Sequence, residues 1–273
     1  GPSTPTANPC NGEAMNDSPE LLRAAEAIRK SRKLAAFTGA GISVESGIPP
    51  FRGSNGVWNR YDSSLLDIDC FLRSPARSWA AIKAMFTGFL ATADRAPVAP
   101  NPAHEVLAKW EAEGRLAGVI TQNIDGLHTT AGSRNVIEYH GHCRTVRCLN
   151  CGKTVPLTAE STAADVPRCA CGGLLKPDFV FFGEGIPPKA ARDAEELALT
   201  CECMILVGTS GAVYPAAALP PAAKRRGAVI VEVNPEPTPY TERGVTDIFI
   251  AGKAGETFLT LDRLVAADGK DGQ

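Results

Sequence analysis

Short, fully apolar segments alternate with helical patterns along this chain, and this alternation constrains the fold more than any other feature. The apolar segments are Leu34 to Phe37, Gly118 to Ile120, Met204 to Val207 and Val229 to Val233. The helical patterns run from about Asp17 to Arg32, His104 to Glu113, Ala190 to Leu199, Pro215 to Arg226 and Glu256 to Val265. Strands without polar alternation are buried on both faces. The sequence therefore predicts an α/β fold, a parallel sheet with right-handed crossovers.

Each apolar segment ends in a turn of polar residues or glycine. These turns are Gly39-Ala40-Gly41-Ile42-Ser43, Thr121-Gln122-Asn123, Gly208-Thr209-Ser210 and Asn234-Pro235. Ligands of parallel sheets bind outside the carboxyl ends of the strands, where these turns should meet. Gly39 and Gly41 would let the backbone approach a pyrophosphate. The alternative is a tight turn without a ligand, because the pattern is not G-x-G-x-x-G.

Four of the nine cysteines form two close pairs, Cys148-x-x-Cys151 and Cys169-x-Cys171, with seventeen residues between them. The sequence shows no secretory signal pattern, so paired cysteines indicate metal ligands rather than disulfides. Two such pairs suit tetrahedral zinc, and four thiolates would close its coordination shell, which is typical of a structural site. Cys143 is a reserve ligand. The alternative is four reduced cysteines without metal.

One of the four histidines stands out. His140 follows a strand and precedes a glycine at the predicted ligand-binding edge, where an imidazole can act as a general base near neutral pH. His104 lies on a predicted helix and His128 beside a turn, so both are expected to be structural. His142 is expected to be an exposed neighbour of the site.

The charge balance excludes some classes of protein. A net charge of −2 and a pI near 6.1 do not fit a dedicated nucleic-acid binder. We find no apolar run of about eighteen residues, so no membrane span is expected. Residues 1–16 are rich in Pro, Ser, Thr, Asn and Gly and are predicted to be a disordered tail. We expect a cytoplasmic monomer that contacts neither membrane nor nucleic acid directly.

The stretch GAGISVESGIPPFRG, which begins at Gly39, resembles the signature of the sirtuins. Further blocks follow in the same order as in that family, namely TQNIDGLH from Thr121, EYHG from Glu138, FFGE from Phe181, GTS from Gly208 and VNPE from Val233. The resemblance spans residues 17–266. It implies a Rossmann-like NAD-binding domain (17–48, 101–142 and 178–273), a cofactor loop with a helical insertion (49–100) and a zinc-binding module (143–177).

The resemblance also implies an activity, the removal of acyl groups, most simply acetyl, from protein lysines. NAD would be consumed, the acyl group passing to ADP-ribose with release of nicotinamide. By resemblance His140 is the catalytic base, and Asn123 organises the ribose and a water molecule. The implied cofactor-binding residues are Gly39, Ala40, Gly41, Ile42, Ser43, Val44, Phe51, Arg52, Gln122, Asn123, Ile124, Asp125, Gly208, Thr209, Ser210, Asn234, Pro235 and Ala254. The implied substrate-binding residues are Val180, Phe181, Phe182, Gly183, Glu184, Ile82 and Met85.

One departure from the sirtuin pattern and one alignment within the family bear on function. Pro50 stands where the family usually has an aspartate, which removes an acid and a backbone donor from the cofactor loop. Ile82 and Met85 align with the Tyr and Arg of sirtuins that prefer succinyl or malonyl groups, so neutral acyl groups are predicted. Three other functions stay open: protein mono-ADP-ribosyl transfer, a non-catalytic NAD or ADP-ribose sensor, and an ordinary NAD-dependent dehydrogenase.

Overall fold

The computed structural model describes residues 17–50, 56–89 and 98–267. The strands are β1 (Leu34–Thr38), β2 (Leu116–Thr121), β3 (Val136–Glu138), β4 (Gly141–Cys148), β5 (Thr154–Pro156), β6 (Leu175–Phe179), β7 (Cys203–Val207), β8 (Val229–Asn234) and β9 (Ile248–Ala251). The α-helices are α1 (Pro19–Lys30), α2 (Ile68–Arg73), α3 (Pro75–Phe89), α4 (Pro102–Ala112), α5 (Leu127–Thr130), α6 (Pro188–Thr200), α7 (Leu219–Arg225), α8 (Pro239–Glu242) and α9 (Ala254–Ala267). Short 3-10 segments span Ala40–Ser46, Val57–Asn59, Ser63–Leu66 and Ala216–Ala218.

Six strands form a parallel sheet in the order β3-β2-β1-β7-β8-β9, which confirms the predicted fold class. Each of its faces carries a layer of helices. Residues of α1, α4 and α9 pack with Leu34 and Ala36 of β1 on one face, whereas residues of α6 and α7 pack with Ala35 and Phe37 on the other. Alternate side chains of one strand thus enter different cores, which explains why the strands read as continuous apolar runs.

The strand register brings the carboxyl ends of the sheet level with one another. Thr38 at the end of β1 pairs with Thr121 on one side and Val207 on the other. Thr121 in turn pairs with Glu138, and Val207 pairs with Val233. The residues that follow these positions therefore emerge along one edge, where the sequence predicted a ligand.

A second, smaller sheet has the antiparallel order β5-β4-β6. It shares a separate apolar cluster with α2 and α3, in which Phe71, Trp79 and Phe181 are almost fully buried. The indole Nε1–H of Trp79 donates to the carbonyl of Leu175 at 3.0 Å and ties α3 to β6. The domain boundaries given above stay a prediction.

One predicted helix differs in detail. The pattern from Pro215 to Arg226 begins as the 3-10 segment Ala216–Ala218 and becomes α-helical only at Leu219. Pro220 and Pro221 occupy the first turn of α7, where backbone amides need no helical partner, so the prolines are compatible with a helix start there. No helix within the described ranges combines the length and the apolar character that a membrane span requires.

Candidate functional site

The glycine turn after β1 lies directly against the turn after β7. The amide of Gly39 donates to the carbonyl of Val207 at 2.9 Å, and the amide of Gly41 donates to that of Gly208 at 2.8 Å. A Cβ on Gly208 would lie 2.3 Å from the amide nitrogen of Ile42, and the φ of Gly208 is +61°. These two backbone segments can approach only because no side chain separates them. Glycine turns at the carboxyl edge of a parallel sheet are where dinucleotide-binding folds hold a phosphate group.

Gln122 connects three strands at this edge. Its amide donates to the carbonyl of Thr38 at 2.9 Å, and its side-chain Nε2 donates to Thr209 Oγ1 at 3.0 Å. Its own carbonyl oxygen lies 3.2 Å from His140 Nδ1. A carbonyl can only accept, so Nδ1 carries the proton of the neutral imidazole and Nε2 keeps its lone pair.

The environment of His140 favours the neutral imidazole. Burial lowers its pKa below the usual 6.5, and the hydrogen bond to the Gln122 carbonyl opposes that shift. The ring packs edge-to-face on Tyr139 with the two centroids 5.5 Å apart. A neutral, oriented imidazole with a free Nε2 is what a general base requires.

Asn123 and Ser43 form a buried polar cluster beneath the glycine turn. Asn123 Nδ2 donates to the carbonyl of Gly39 at 3.0 Å and to Ser43 Oγ at 3.4 Å. Ser43 Oγ in turn donates to Asp125 Oδ2 at 2.7 Å. Burial raises the pKa of Asp125, although the amide of Leu127 and the hydroxyl of Ser43 both donate to its carboxylate.

His104 extends this cluster, although the sequence patterns predicted only a structural histidine there. Its Nε2 lies 3.4 Å from Ser43 Oγ, and its Nδ1 accepts from the amide of Asn101 at 3.2 Å. Because Nδ1 accepts, Nε2 carries the proton and donates to Ser43. Burial lowers the pKa of His104 to about 4, so the ring is neutral at physiological pH.

His128, the other histidine predicted to be structural, lies behind His104. The two ring centroids are 5.0 Å apart, and His128 Nε2 lies 2.9 Å from Thr38 Oγ1. Burial lowers the pKa of His128 to about 3, with a contribution from His104. His128 thus contacts the last residue of β1, and His104 contacts the turn that follows that strand.

The four cysteines Cys148, Cys151, Cys169 and Cys171 lie together at one end of the small sheet, with their sulfurs all within 4.8 Å of one another. The Sγ atoms of Cys148 and Cys171 are 3.5 Å apart, and those of Cys151 and Cys169 are 3.7 Å apart. Zinc held tetrahedrally at about 2.3 Å from each sulfur requires sulfurs about 3.8 Å apart, so the cluster fits this metal.

Gly173 is required for that arrangement, because a Cβ there would lie 2.5 Å from Cys148 Sγ. Cys143 does not belong to the cluster. Its thiol donates to the carbonyl of Ile124 at 2.9 Å, and burial raises its pKa to about 11.

Comparison with known proteins identifies the fold and the family together. The Sir2 family model matches residues 39–215 of this chain. The chain belongs to the Sir2 family. It is 44% identical to NAD-dependent protein deacylase 2 of Pyrobaculum aerophilum over 89% of this chain and 94% of that protein. It is also 44% identical to an NAD-dependent protein deacylase of Aeropyrum pernix over 91% of this chain and 98% of that protein.

Solved structures agree with this membership. A Sir2 homolog in complex with NAD has a TM-score of 0.80 and 40% identity to this Sir2-family chain, covering 89% of this chain and 93% of that one. A Sir2 structure with a p53 peptide and NAD+ has a TM-score of 0.79 and 36% identity, covering 90% of this chain and 97% of the other.

The structure of this Sir2-family chain brings most of the predicted cofactor-binding residues to one sheet edge. Val44 and Ser210 are exposed there, Asn234 ends β8, Pro235 follows it, and Ala254 begins α9. Phe51 and Arg52 lie outside the described residues. The segment Ala40–Ser46 is a 3-10 turn rather than an α-helix, and the amides of Gly41, Ile42 and Gly208 already donate to the carbonyls of Gly208, Gly39 and Val233.

The predicted substrate-binding segment follows β6. Phe182 is 42% exposed, whereas Phe181 is 1% exposed and packs edge-to-face on Phe71 with centroids 5.2 Å apart. The amides of Val180 and Glu184 donate within the chain, to the carbonyls of His140 and Phe181 respectively. The backbone of these two residues could therefore pair with a peptide strand through the carbonyl oxygens but not through the amides.

The remaining predicted substrate residues, Ile82 and Met85, are buried in the apolar cluster of the small sheet, at 1% and 7% exposure. The same cluster contains Phe181 and is flanked by Ile124 of the loop that follows β2. It therefore connects the predicted acyl site with the sheet edge through apolar side chains.

Sequence reasoning missed a buried carboxylate, Glu232, which stands in β8 two residues before Asn234. A charged residue inside the run Val229–Asn234, which is otherwise apolar up to its last position, was the available signal. Charges in strands buried on both faces are rare unless they have partners.

Proposed function

We propose that this Sir2-family chain is an NAD-dependent protein-lysine deacylase. The observation that carries the proposal is the arrangement of His140, whose Nδ1–H is fixed on the Gln122 carbonyl and whose Nε2 keeps its lone pair, at the same edge as the Gly39–Gly41 turn. Relatives that are 41–46% identical over most of their length carry the names NAD-dependent protein deacylase or deacetylase. A base at a dinucleotide-binding edge is what this reaction needs.

The residues present fit NAD. The two glycine turns pack backbone against backbone at Gly41 and Gly208, where a Cβ at either position would clash with the other turn, and this packing sets the shape of the edge where NAD would bind. We assign the phosphate and adenosine contacts to Gly39–Val44, Gly208–Ser210, Asn234, Pro235 and Ala254, the ribose to Gln122 and Asn123, and the nicotinamide amide to Ile124 and Asp125. NAD supplies the ADP-ribose that accepts the acyl group, and nicotinamide leaves.

The chain itself supplies orientation and proton transfer. His140 Nε2 accepts a proton from the ribose hydroxyl and delivers it to solvent. Ser43 Oγ donates to Asp125 and accepts from His104 and Asn123, so all its hydrogen-bonding positions are used and it holds the Asn123 carboxamide in place for the ribose. The apolar surroundings of Phe181, Ile82 and Met85 exclude bulk water from the acyl group.

Ile82 and Met85 also bear on the substrate. The ammonium of Lys176 lies 4.2 Å from the ring centroid of Phe181 in the same apolar cluster, but it is already paired with Glu184 Oε2 at 2.9 Å. Burying an unpaired acyl carboxylate there would be costly. We therefore propose that neutral acyl groups on a peptide lysine are the substrates.

We propose zinc at the four cysteines as a structural ion, because four thiolates leave no open coordination position. The cytoplasmic location, the monomeric state and the absence of direct nucleic-acid contact stay predictions. For the location, the support is that close thiol pairs serve metals in reducing compartments.

The deciding experiment incubates the protein with an acetyl-lysine peptide, with and without NAD, and identifies the products by mass spectrometry. We expect deacetylated peptide and O-acetyl-ADP-ribose only with NAD, a large loss of both in His140→Ala, and near wild-type rates in the matched control His142→Ala. Label transferred from NAD onto protein would indicate ADP-ribosyl transfer instead. NAD binding without turnover would indicate a sensor, and NADH formation would indicate a dehydrogenase.

A further inference from the structure

Glu232 is a fully buried carboxylate in the middle of β8. Its exposure is 0%, and its strand neighbours in register are Leu206 and Phe249. An ionised carboxylate in such surroundings is strongly destabilising unless hydrogen bonds compensate for the lost water. Its partners therefore indicate why the strand tolerates a charge here.

Four side-chain donors converge on this carboxylate. Oε1 accepts from Asn234 Nδ2 at 3.2 Å and from the hydroxyl of Thr238. Oε2 accepts from the hydroxyl of Thr241 at 2.8 Å and from that of Thr246. An ionised carboxylate offers about four acceptor positions. All of them are used, so Glu232 ties the end of β8 to the segment 238–246.

The first consequence concerns the orientation of Asn234. Its Nδ2 donates both to Glu232 Oε1 and to the carbonyl of Thr209, the latter at 3.1 Å. A flipped carboxamide would set Oδ1 against two acceptors, which is unfavourable. Glu232 therefore fixes Nδ2 of Asn234 towards the Glu232 carboxylate and the Thr209 carbonyl. Oδ1 then points away from these two acceptors and is left to accept a hydrogen bond.

The second consequence concerns the turn after β7. Thr238 Oγ1 accepts from the amide of Tyr240 at 3.2 Å and so begins α8. The Tyr240 hydroxyl donates to the carbonyl of Ala217 at 3.1 Å, and its ring lies under Gly211, where a Cβ would come within 2.9 Å of Cε2. The segment that Glu232 anchors thus supports the Gly208–Gly211 turn from below.

We infer that Glu232 is a positioning residue for the adenosine half of NAD, acting through the Asn234 carboxamide and the Tyr240-supported turn. The inference rests on the proposed function. β8 is four strands from β3, roughly 19 Å at about 4.8 Å per strand, so Glu232 is remote from His140. We expect the adenosine end of NAD to be bound equally in the ground state and in the transition state. Loss of an interaction with that end then raises KM and leaves kcat unchanged.

The test uses two substitutions of similar size. Glu232→Leu removes every acceptor, and we expect the KM for NAD and the Kd for ADP-ribose to rise about tenfold, with kcat within about twofold of wild type. Glu232→Gln should restore most of the affinity, because its oxygen can accept from Asn234 while its NH2 donates to the Thr241 and Thr246 hydroxyls, which can rotate to accept. Glu20→Leu on the exposed face of α1 is the matched control.

A second pair of variants, which exchanges the amide and the carboxylate between positions 234 and 232, keeps the test decisive if Glu232→Leu does not fold. Asn234→Asp alone places two carboxylates together and should weaken ADP-ribose binding strongly. Adding Glu232→Gln replaces one of the two carboxylates by an amide, whose NH2 can donate to the new carboxylate at position 234. The double variant should therefore bind ADP-ribose more tightly than Asn234→Asp alone. A double variant no better than the single one overturns the inference, as does a folded Glu232→Leu protein with unchanged KM and Kd.

ADP-ribose binding, measured by calorimetry, separates this inference from the proposed function. If the wild-type protein binds ADP-ribose but releases no deacylated peptide, the proposed deacylation is contradicted. The Kd values of the variants for ADP-ribose can then still be measured and still test the inference. Wild-type protein that binds no ADP-ribose overturns both. A lowered melting temperature with unchanged KM, Kd and kcat shows that Glu232 serves only the stability of the fold, which also overturns the inference.

Discussion

The Nδ1 of His140 and the carbonyl oxygen of Gln122 are 3.2 Å apart, and this contact fixes which nitrogen of the ring is free. Gln122 itself is held by Thr38 at the end of β1 and by Thr209 in the turn after β7. The base is therefore oriented by residues from neighbouring strands of the sheet. The tautomer is thus a property of the sheet edge rather than of the histidine alone.

The pH dependence of catalysis follows from this arrangement. Burial holds the pKa of His140 below 6.5, and the base works only when it is neutral. We expect kcat/KM to rise with pH through a pKa below 6.5 and to be level from about pH 7 upwards. Rates measured from pH 5 to 8.5 check this. The profile of His142→Ala should keep the same acidic limb, and a limb centred above 6.5 would contradict the assignment.

Stability should also depend on pH, through His104. Its pKa is about 4 in the folded protein against 6.5 for an ordinary histidine, so the unfolded chain binds the proton more readily. The free energy of unfolding should therefore fall as pH decreases from about 6.5 towards 4, by up to about 3 kcal/mol from this residue. Urea unfolding of wild type and His104→Gln at pH 7.5, 6 and 5 measures it. The variant should show the shallower slope, and parallel slopes would contradict the prediction.

The close contact of the two glycine turns gives a steric prediction. Gly208→Ala places a Cβ 2.3 Å from the Ile42 amide nitrogen at a positive φ, so the Gly39–Gly41 turn must move. We expect at least a tenfold rise in the Kd for ADP-ribose, together with a lower melting temperature. Gly185→Ala is the matched control, because a Cβ there meets nothing within 4 Å. Unchanged affinity in Gly208→Ala would show that this contact does not shape the nucleotide site.

Much of this site was predictable because its signals are local. The strands β1, β2, β7 and β8 are largely buried on both faces and mostly apolar, and the four cysteines are close in sequence, so pattern and spacing sufficed. The strand β9 was not predicted, although its four residues match the length of segments that were. The pairing of His104 with Ser43 spans 61 residues, and a helical histidine carries no pattern that points to a partner so distant in sequence.

The cysteine cluster predicts a folding role for zinc. The purified protein should contain one zinc per chain by elemental analysis, and removal by a strong chelator should lower the melting temperature, because metal binding is coupled to the fold of such modules. Cys169→Ser should lose the metal. Cys143→Ser should keep it, because that thiol is bonded to the Ile124 carbonyl and lies outside the cluster. Equal zinc content in both variants would contradict the ligand assignment.

The acyl preference tests the apolar cluster that contains Ile82 and Met85. Both side chains are nearly fully buried beside Phe181, and neither can pair with a carboxylate. We expect acetyl-lysine peptide to be processed at least tenfold faster than succinyl-lysine peptide, since an unpaired acyl carboxylate would have to lose its hydration. The double substitution Ile82→Tyr and Met85→Arg supplies a hydroxyl and a cation at these positions and should shift the ratio of kcat/KM towards succinyl. Met85→Leu is the control for volume and should leave the ratio unchanged. Faster turnover of succinyl-lysine by the wild-type enzyme would show that another cation reaches the acyl group.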